Sequence, residues 1–287
     1  MNKYIRSLRP RTLPLSMSGI ILGCGLAYPA TSQRPLFWAI FILAILTTLC
    51  LQITSNLANE LGDADHGTDD DQQGRVAYGL QTGEITRTEM IHMLYLFVGL
   101  SIVFGTALVW TSFGTLLCMQ SIIFLILGGL AIIGAIKYTL GKHSYGYMGL
   151  GDLGVFLFFG LLSTMGSYYL QTQQLTTEVT WCAIAIAMPI VGVLNLNNIR
   201  DMDNDRRHGK RTFAGLLGKT GAKIYHTMLL TTCMVIFAIS GRYWALIAAP
   251  VFIWHIIYIW RNEGSALDRQ MPVLMFTTII IAILACL

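Results

Sequence analysis

The chain has 287 residues, 54% of them hydrophobic and 12% charged, with a formal net charge of +4. Soluble globular chains carry about a quarter charged residues, so this composition excludes that class. The six cysteines (Cys24, Cys50, Cys118, Cys182, Cys233, Cys286) lie in apolar runs without a C-x-x-C pair, which argues against a metal cluster or a disulfide framework. Neither a nucleic acid nor an obligate protein partner is expected.

Nine apolar segments follow in order, at about 12–29, 36–58, 90–110, 115–136, 153–171, 180–199, 222–240, 244–260 and 271–287. A spanning helix needs roughly 20 residues, and the alternation of barrel strands is absent. The expected fold is therefore all-α: a polytopic membrane protein with about nine transmembrane helices, forming one domain over residues 1–287. Basic residues, then Leu13 to Gly23, then Cys24 resemble a secretory or lipoprotein signal. The Pro-rich flank and the spans that follow favour a first transmembrane helix instead.

Charge gives the expected orientation. With the N-terminus inside, the inner stretches hold 17 of the 19 basic residues, leaving Arg34 and Arg242 outside. That asymmetry fits the positive-inside rule and puts the C-terminus outside. Fourteen of the fifteen acids also face inward, Glu178 being the exception. Acids carry little topological weight, so their clustering needs another explanation. Three long inner stretches, 60–89, 137–152 and 200–221, are expected to cap one mouth of the bundle.

Two polar motifs dominate that cap. Asn59-x-x-x-Asp63 and Asn197-x-x-x-Asp201 end long apolar runs at a constant offset of 138 residues, the second continuing to Asp205. Residues four apart share a helix face, so Asn59 joins Asp63, and Asn197 joins Asp201 and Asp205. Asp65 and Asp203 point away. Asp69 falls off the first face unless the chain turns back at Gly67. Carboxylates beside spanning sequence are costly unless they line a wet cavity or bind a cation. Oxygen donors without neighbouring His or Cys suit Mg²⁺, which substrate phosphates commonly complete.

Arg200, Arg206, Arg207, Lys210 and Arg211 interleave with the second motif and Arg75 follows the first, a pattern that fits a metal-bridged polyphosphate clamp. The competing reading makes these cations the positive-inside signal near anionic lipid. Residues 74–80 echo 209–216, which points to two pseudo-repeated halves with a shared site. Between them, Lys137, Tyr138, Lys142, Tyr145 and Tyr147 lie among four glycines, a loop able to hold an anionic aromatic molecule or to stabilise a cation by ring quadrupole. The alternative for this loop is an interfacial aromatic belt. His66, His92, His143, His208, His226 and His255 show no ligand spacing and receive no role.

These motifs resemble the two aspartate motifs of the UbiA superfamily of membrane prenyltransferases. Arg9-Pro10-x-Thr12-Leu13-Pro14, Asn56-Leu57-Ala58-Asn59, Gly67-Thr68-Asp69, Gln81-x-Gly83-x-Ile85-Thr86 and Tyr145-Gly146-Tyr147-x-Gly149-Leu150-Gly151-Asp152 are similar to the 1,4-dihydroxy-2-naphthoate polyprenyltransferase branch. The similarity covers about residues 5–220, and the last two or three helices carry only hydrophobicity. Two positions depart from the pattern: Glu60 stands where Asp is common, and Gly74-Arg75-Val76-Ala77 lacks the proline of Gly-Pro-x-Arg.

The resemblance implies transfer of a polyprenyl chain from its diphosphate to 1,4-dihydroxy-2-naphthoate, with carboxyl loss, giving demethylmenaquinone. It implies two Mg²⁺ held by Asp63, Asp69, Asp201 and Asp205. Asn59, Asn197, Arg75, Lys137, Tyr138, Lys142, Tyr145, Arg200, Arg206 and Lys210 are expected to bind substrate. Membrane lipid is the expected surrounding, in a bacterial cytoplasmic membrane. Two rivals stay open: another acceptor such as 4-hydroxybenzoate or a porphyrin, and a cation or organic-anion transporter. Against transport, the acids cluster at one face and no second gate is evident.

Overall fold

The computed structural model describes residues 3–67, 79–142 and 144–287. Among them, nine helices are long and apolar enough to cross a membrane. A short helix α1 (Lys3–Ser7) precedes α2 (Leu13–Thr31), α3 (Phe37–His66), α4 (Arg87–Phe113) and α5 (Met119–Lys137). The fifth span runs through α6 (Gly151–Val155), a π-helical segment (Phe156–Leu162) and α7 (Ser163–Thr172). Then come α8 (Thr177–Arg207), α9 (Phe213–Ile239), α10 (Ala249–Arg261) and α11 (Gln270–Leu284). The last two are preceded by the 3₁₀ turns Tyr243–Ala248 and Gly264–Arg269.

The helices outrun their apolar cores at one end of the bundle. The two longest, α3 with 30 residues and α8 with 31, each carry a polar motif on their final turns. Gly67 ends α3 in the left-handed region at φ 67°, where a Cβ would be strained. Thr86 starts α4 with a reciprocal capping box to Glu89, and Thr212 caps α9 through the Gly215 N–H. The 200–221 stretch is thus mostly helical, with a break at Gly218 inside α9.

Packing pairs α3 with α4 and α8 with α9, so the two motif helices occupy corresponding positions. Membrane helices approach closely where side chains are small. Here Gly160 abuts Ala187 and Gly23 abuts Thr164, seating α8 and α2 against the fifth span. Large apolar side chains such as Ile42, Leu96, Ile126 and Trp254 cover the outside, as a lipid-facing surface requires. The far end of the bundle closes with Arg34 donating to the Gln171 carbonyl at 2.8 Å and with an Arg242–Glu178 ion pair.

At the motif end, α1 is tied down by Lys3 to the Glu84 carbonyl at 2.9 Å and by an Arg6–Glu84 ion pair. Glu60 is buried and accepts from the Leu80 N–H at 2.7 Å. It therefore serves this junction, not the cavity described next.

Candidate active site

A cavity of about 870 Å³ opens at the motif end and runs into the bundle. Asn59 and Asp63 reach it from α3, and Asn197, Asp201 and Asp205 from α8. The helical four-residue spacing, carried past the membrane by the polar extensions, produces this convergence. Asp69 and Arg75 lie outside the described residues, as does most of the 74–80 echo.

Each motif is held by a different neighbour. On the α3 side, the chain after α5 docks against Gly62. The Thr139 hydroxyl donates to the Ala58 carbonyl and to Asn59 Oδ1, both at 3.0 Å. A Cβ on Gly62 would meet the Thr139 backbone at 2.7 Å, so only glycine permits this contact. Gly62→Ala should cost about 1–3 kcal/mol of stability by overpacking and lower turnover; thermal unfolding in detergent beside an activity assay checks this. Tyr147 donates to Asp63 Oδ1 at 2.9 Å and stacks on His66 with centroids 4.3 Å apart.

On the α8 side, Arg200 bonds Asp201 through two N–H groups at 2.8 Å each. It also pairs with Asp268 and with Asn197 Oδ1. Lys210 Nζ stands 3.7 Å from Asp205 and 5.2 Å from the Tyr147 ring centroid. The Arg211 N–H donates to the Tyr147 carbonyl at 3.2 Å. Tyr147 and Lys210 thus join the two halves of the site.

Beyond the motifs the cavity is lined mostly by aromatic and aliphatic side chains, with polar ones such as Arg9, Gln52 and Ser101 among them. Tyr138 and Tyr145 meet edge to face at 5.3 Å, beside Phe158 and Phe159. Burial pushes the Tyr145 phenol up to about 12. Burial, reinforced by Asp152, Tyr145, Asp63 and Asp205, raises Tyr138. Both phenols stay protonated at neutral pH and offer O–H groups and ring faces, not bases. Ile102 on α4 and Leu125 and Ile133 on α5 line the cavity and keep a third or more of their surface exposed.

Three expected substrate residues stand off the cavity wall. Lys137 is exposed at the C-terminus of α5, where the helix dipole favours a cation, and Lys142 is exposed in the loop beyond. Arg206 donates instead to the Gly215 carbonyl at 3.3 Å. Asp65 pairs with Arg87 at 3.0 Å and Asp203 with Lys219 at 3.0 Å, each turned from the cavity. An exposed pair of this kind is worth little, so Asp65→Asn should leave kcat/KM within about two-fold of wild type; a larger loss in a steady-state assay would contradict this geometry.

Some contacts at the site have no local sequence signal. Tyr147 and Asp268 reach their partners across 84 and 68 residues of sequence. Arg9 lines the cavity from a non-glycine backbone at φ 51°, a strained conformation that sequence does not reveal.

Among the described residues, no three His, Cys, Asp or Glu side chains gather tightly enough to hold a metal by themselves. A site that presents hard oxygen donors from two helices across an open cavity matches an ion bound by one or two carboxylates and completed by substrate.

Comparison with known proteins agrees with this architecture. Relatives named 1,4-dihydroxy-2-naphthoate octaprenyltransferase occur in Escherichia coli, 41% identical over 93% of this chain and 88% of that one. The Haemophilus influenzae protein of the same name is 36% identical over 92% and 87%. Among solved structures, an apo UbiA homolog from Aeropyrum pernix superposes with TM-score 0.67 at 18% identity, covering 98% of this chain and 96% of that one. A UbiA homolog from Archaeoglobus fulgidus bound to DMAPP and Mg²⁺ gives 0.64 at 17% identity, covering 97% and 99%. The UbiA prenyltransferase family model matches residues 17–280, and the chain belongs to that family.

Proposed function

We propose that this integral membrane protein transfers a polyprenyl group from its diphosphate to 1,4-dihydroxy-2-naphthoate. The prenyl carbon–oxygen bond breaks and the diphosphate leaves with the electron pair. A bond forms from that carbon to the naphthalene ring, and the acceptor's carboxyl group leaves as carbon dioxide. The product is the reduced form of demethylmenaquinone, a step toward menaquinone. One observation carries the reading: two Asn/Asp faces from corresponding helices converge on one cavity whose remaining lining is mostly apolar.

The residues divide the work. Asp63 and Asp69 from one half, with Asp201 and Asp205 from the other, would hold two Mg²⁺, with Asn59 and Asn197 beside them. When bound, Mg²⁺ neutralises charge on the departing diphosphate. Arg200 and Lys210 add charge-assisted hydrogen bonds to the same group. Tyr147 fixes the orientation of Asp63. The rings of Tyr138 and Tyr145 flank the path of the allylic carbon, where their faces stabilise positive charge. The apolar walls hold the prenyl tail and keep water from the cation. The exposed apolar side chains of α4 and α5 that line the cavity would admit the tail from lipid.

The relatives' shared name specifies an octaprenyl chain, which makes octaprenyl diphosphate the first donor to assay. The same reading puts the motif end and the N-terminus on the cytoplasmic side of the bacterial inner membrane, with the C-terminus outside.

The test is product analysis by mass spectrometry on purified protein, with octaprenyl diphosphate, Mg²⁺ and either naphthoate or 4-hydroxybenzoate. Prenylated, decarboxylated naphthoate is the expected product. Prenylated hydroxybenzoate alone would keep the chemistry and overturn the acceptor.

A further inference from the structure

The chain between α10 and α11 is bound to the ends of α8 and α9 at several points. Lys223 donates to the Asn262 carbonyl at 3.2 Å and lies 3.5 Å from Glu263. Lys219 reaches Glu263 at 3.6 Å and Asp203 at 3.0 Å. At the middle of this strap, Asp268 pairs with Arg200 inside the cavity.

At its end, Gln270 enters a fully buried polar chain. Gln270 Oε1 lies 2.7 Å from His255 Nδ1, His255 Nε2 lies 3.1 Å from His226 Nε2, and His226 Nδ1 lies 3.3 Å from Asn195 Nδ2. All four side chains are at most 1% exposed. An amide oxygen only accepts, so His255 Nδ1 carries the proton and its Nε2 accepts. His226 Nε2 must then donate, which leaves its Nδ1 to accept from the Asn195 amide. Every contact has one donor and one acceptor, in one direction only. Asn195 also donates to the Ala222 carbonyl at 3.1 Å, which locks its amide.

Both ends of the stretch 195–200 on α8 are therefore fastened to residues 268–270: Arg200 directly, Asn195 through two imidazoles. Between these anchors sits Asn197, and Asp201 follows. We propose that the strap 262–270 is a positioning element for the prenyl diphosphate half of the site. Asp268 holds the Arg200 guanidinium in register with Asn197 and Asp201, and the Asn195–His226–His255–Gln270 chain fixes the strap against α8. This rests on the reading of Asp201 and Arg200 as diphosphate-side residues. A buried polar chain spanning four helices costs more than it returns unless it enforces one arrangement. Here the arrangement it enforces is the end of α8.

The test measures KM separately for octaprenyl diphosphate and for naphthoate, with the Mg²⁺ half-activation concentration, in full-length protein. Asp268→Asn and Gln270→Leu should each raise the prenyl diphosphate KM about ten-fold while the naphthoate KM stays within about two-fold. Asp268→Glu should recover most of the loss. The double variant should fall short of the product of the singles, because both act through one strap. Leu94→Ala, a packing change in the opposite half of the bundle, should lower the melting temperature and leave both KM values unmoved. If Gln270→Leu does not insert, Asp268→Asn and Gln270→Glu carry the comparison.

An unchanged prenyl diphosphate KM in the strap variants would overturn the proposal, as would an equal rise in both KM values. Asp201→Ala is run alongside. If it stays active, the site reading itself fails. If it is dead while the strap variants behave as wild type, only the positioning role fails.

Discussion

Asp63→Ala and Asp201→Ala each reduce turnover by at least about 10²–10³-fold, the scale on which losing one group that stabilises developing charge acts, while the protein still inserts and folds. The size follows from where the carboxylates stand. Both line the one cavity, on helices that arrive from different halves of the chain. The diphosphate gains negative charge as the carbon–oxygen bond breaks. Neutralising that charge holds the bound diphosphate and acts still more strongly on the transition state, so affinity falls and kcat falls further. Under the proposed two-ion arrangement neither half substitutes for the other, because each ion would need its own carboxylates. Single-turnover product formation, beside a melting curve in detergent, separates lost chemistry from lost fold.

Arg200→Ala lowers kcat/KM by about 10²-fold or more, because removing one partner of a buried charge pair leaves the others uncompensated. The structure makes the cost plain. Arg200 bridges Asn197, Asp201 and Asp268, and its side chain is 14% exposed. Without it, the Asp201 and Asp268 carboxylates lose the cation they share. Arg200→Lys should recover little, since one ammonium cannot reproduce two N–H bonds to Asp201 together with contacts to both other partners. Steady-state kinetics on both variants checks this, and near-wild-type activity in the lysine variant would show that a point charge suffices.

Much of this was readable before any coordinates. Nine apolar runs and the inner bias of the cations marked the spans, because bilayer thickness and insertion leave few alternatives. The spacing of Asn59, Asp63, Asn197, Asp201 and Asp205 put them on two helix faces, because four residues are one turn. Periodicity did not reveal how far α3 and α8 continue beyond the bilayer. That depends on caps such as Gly67 and on docking partners such as Thr139. Tyr147 is legible as part of a substrate-facing tyrosine loop, but its hydrogen bond to Asp63 follows only from how that loop docks. The last helices read as hydrophobic filler. Asp268 and Gln270 become visible only when α10 and α11 close over α8. His226 and His255 had no ligand spacing, and their partners prove to be each other and two amides.

The central claim is that both halves of the chain build one metal-dependent diphosphate site. The most direct measurement is the affinity of purified protein for octaprenyl diphosphate, with Mg²⁺ and with EDTA, in wild type, Asp63→Ala and Asp201→Ala. The account predicts tight binding only in wild type with Mg²⁺, and loss of it in each single variant. Wild-type affinity in either variant, or binding indifferent to EDTA, would contradict it.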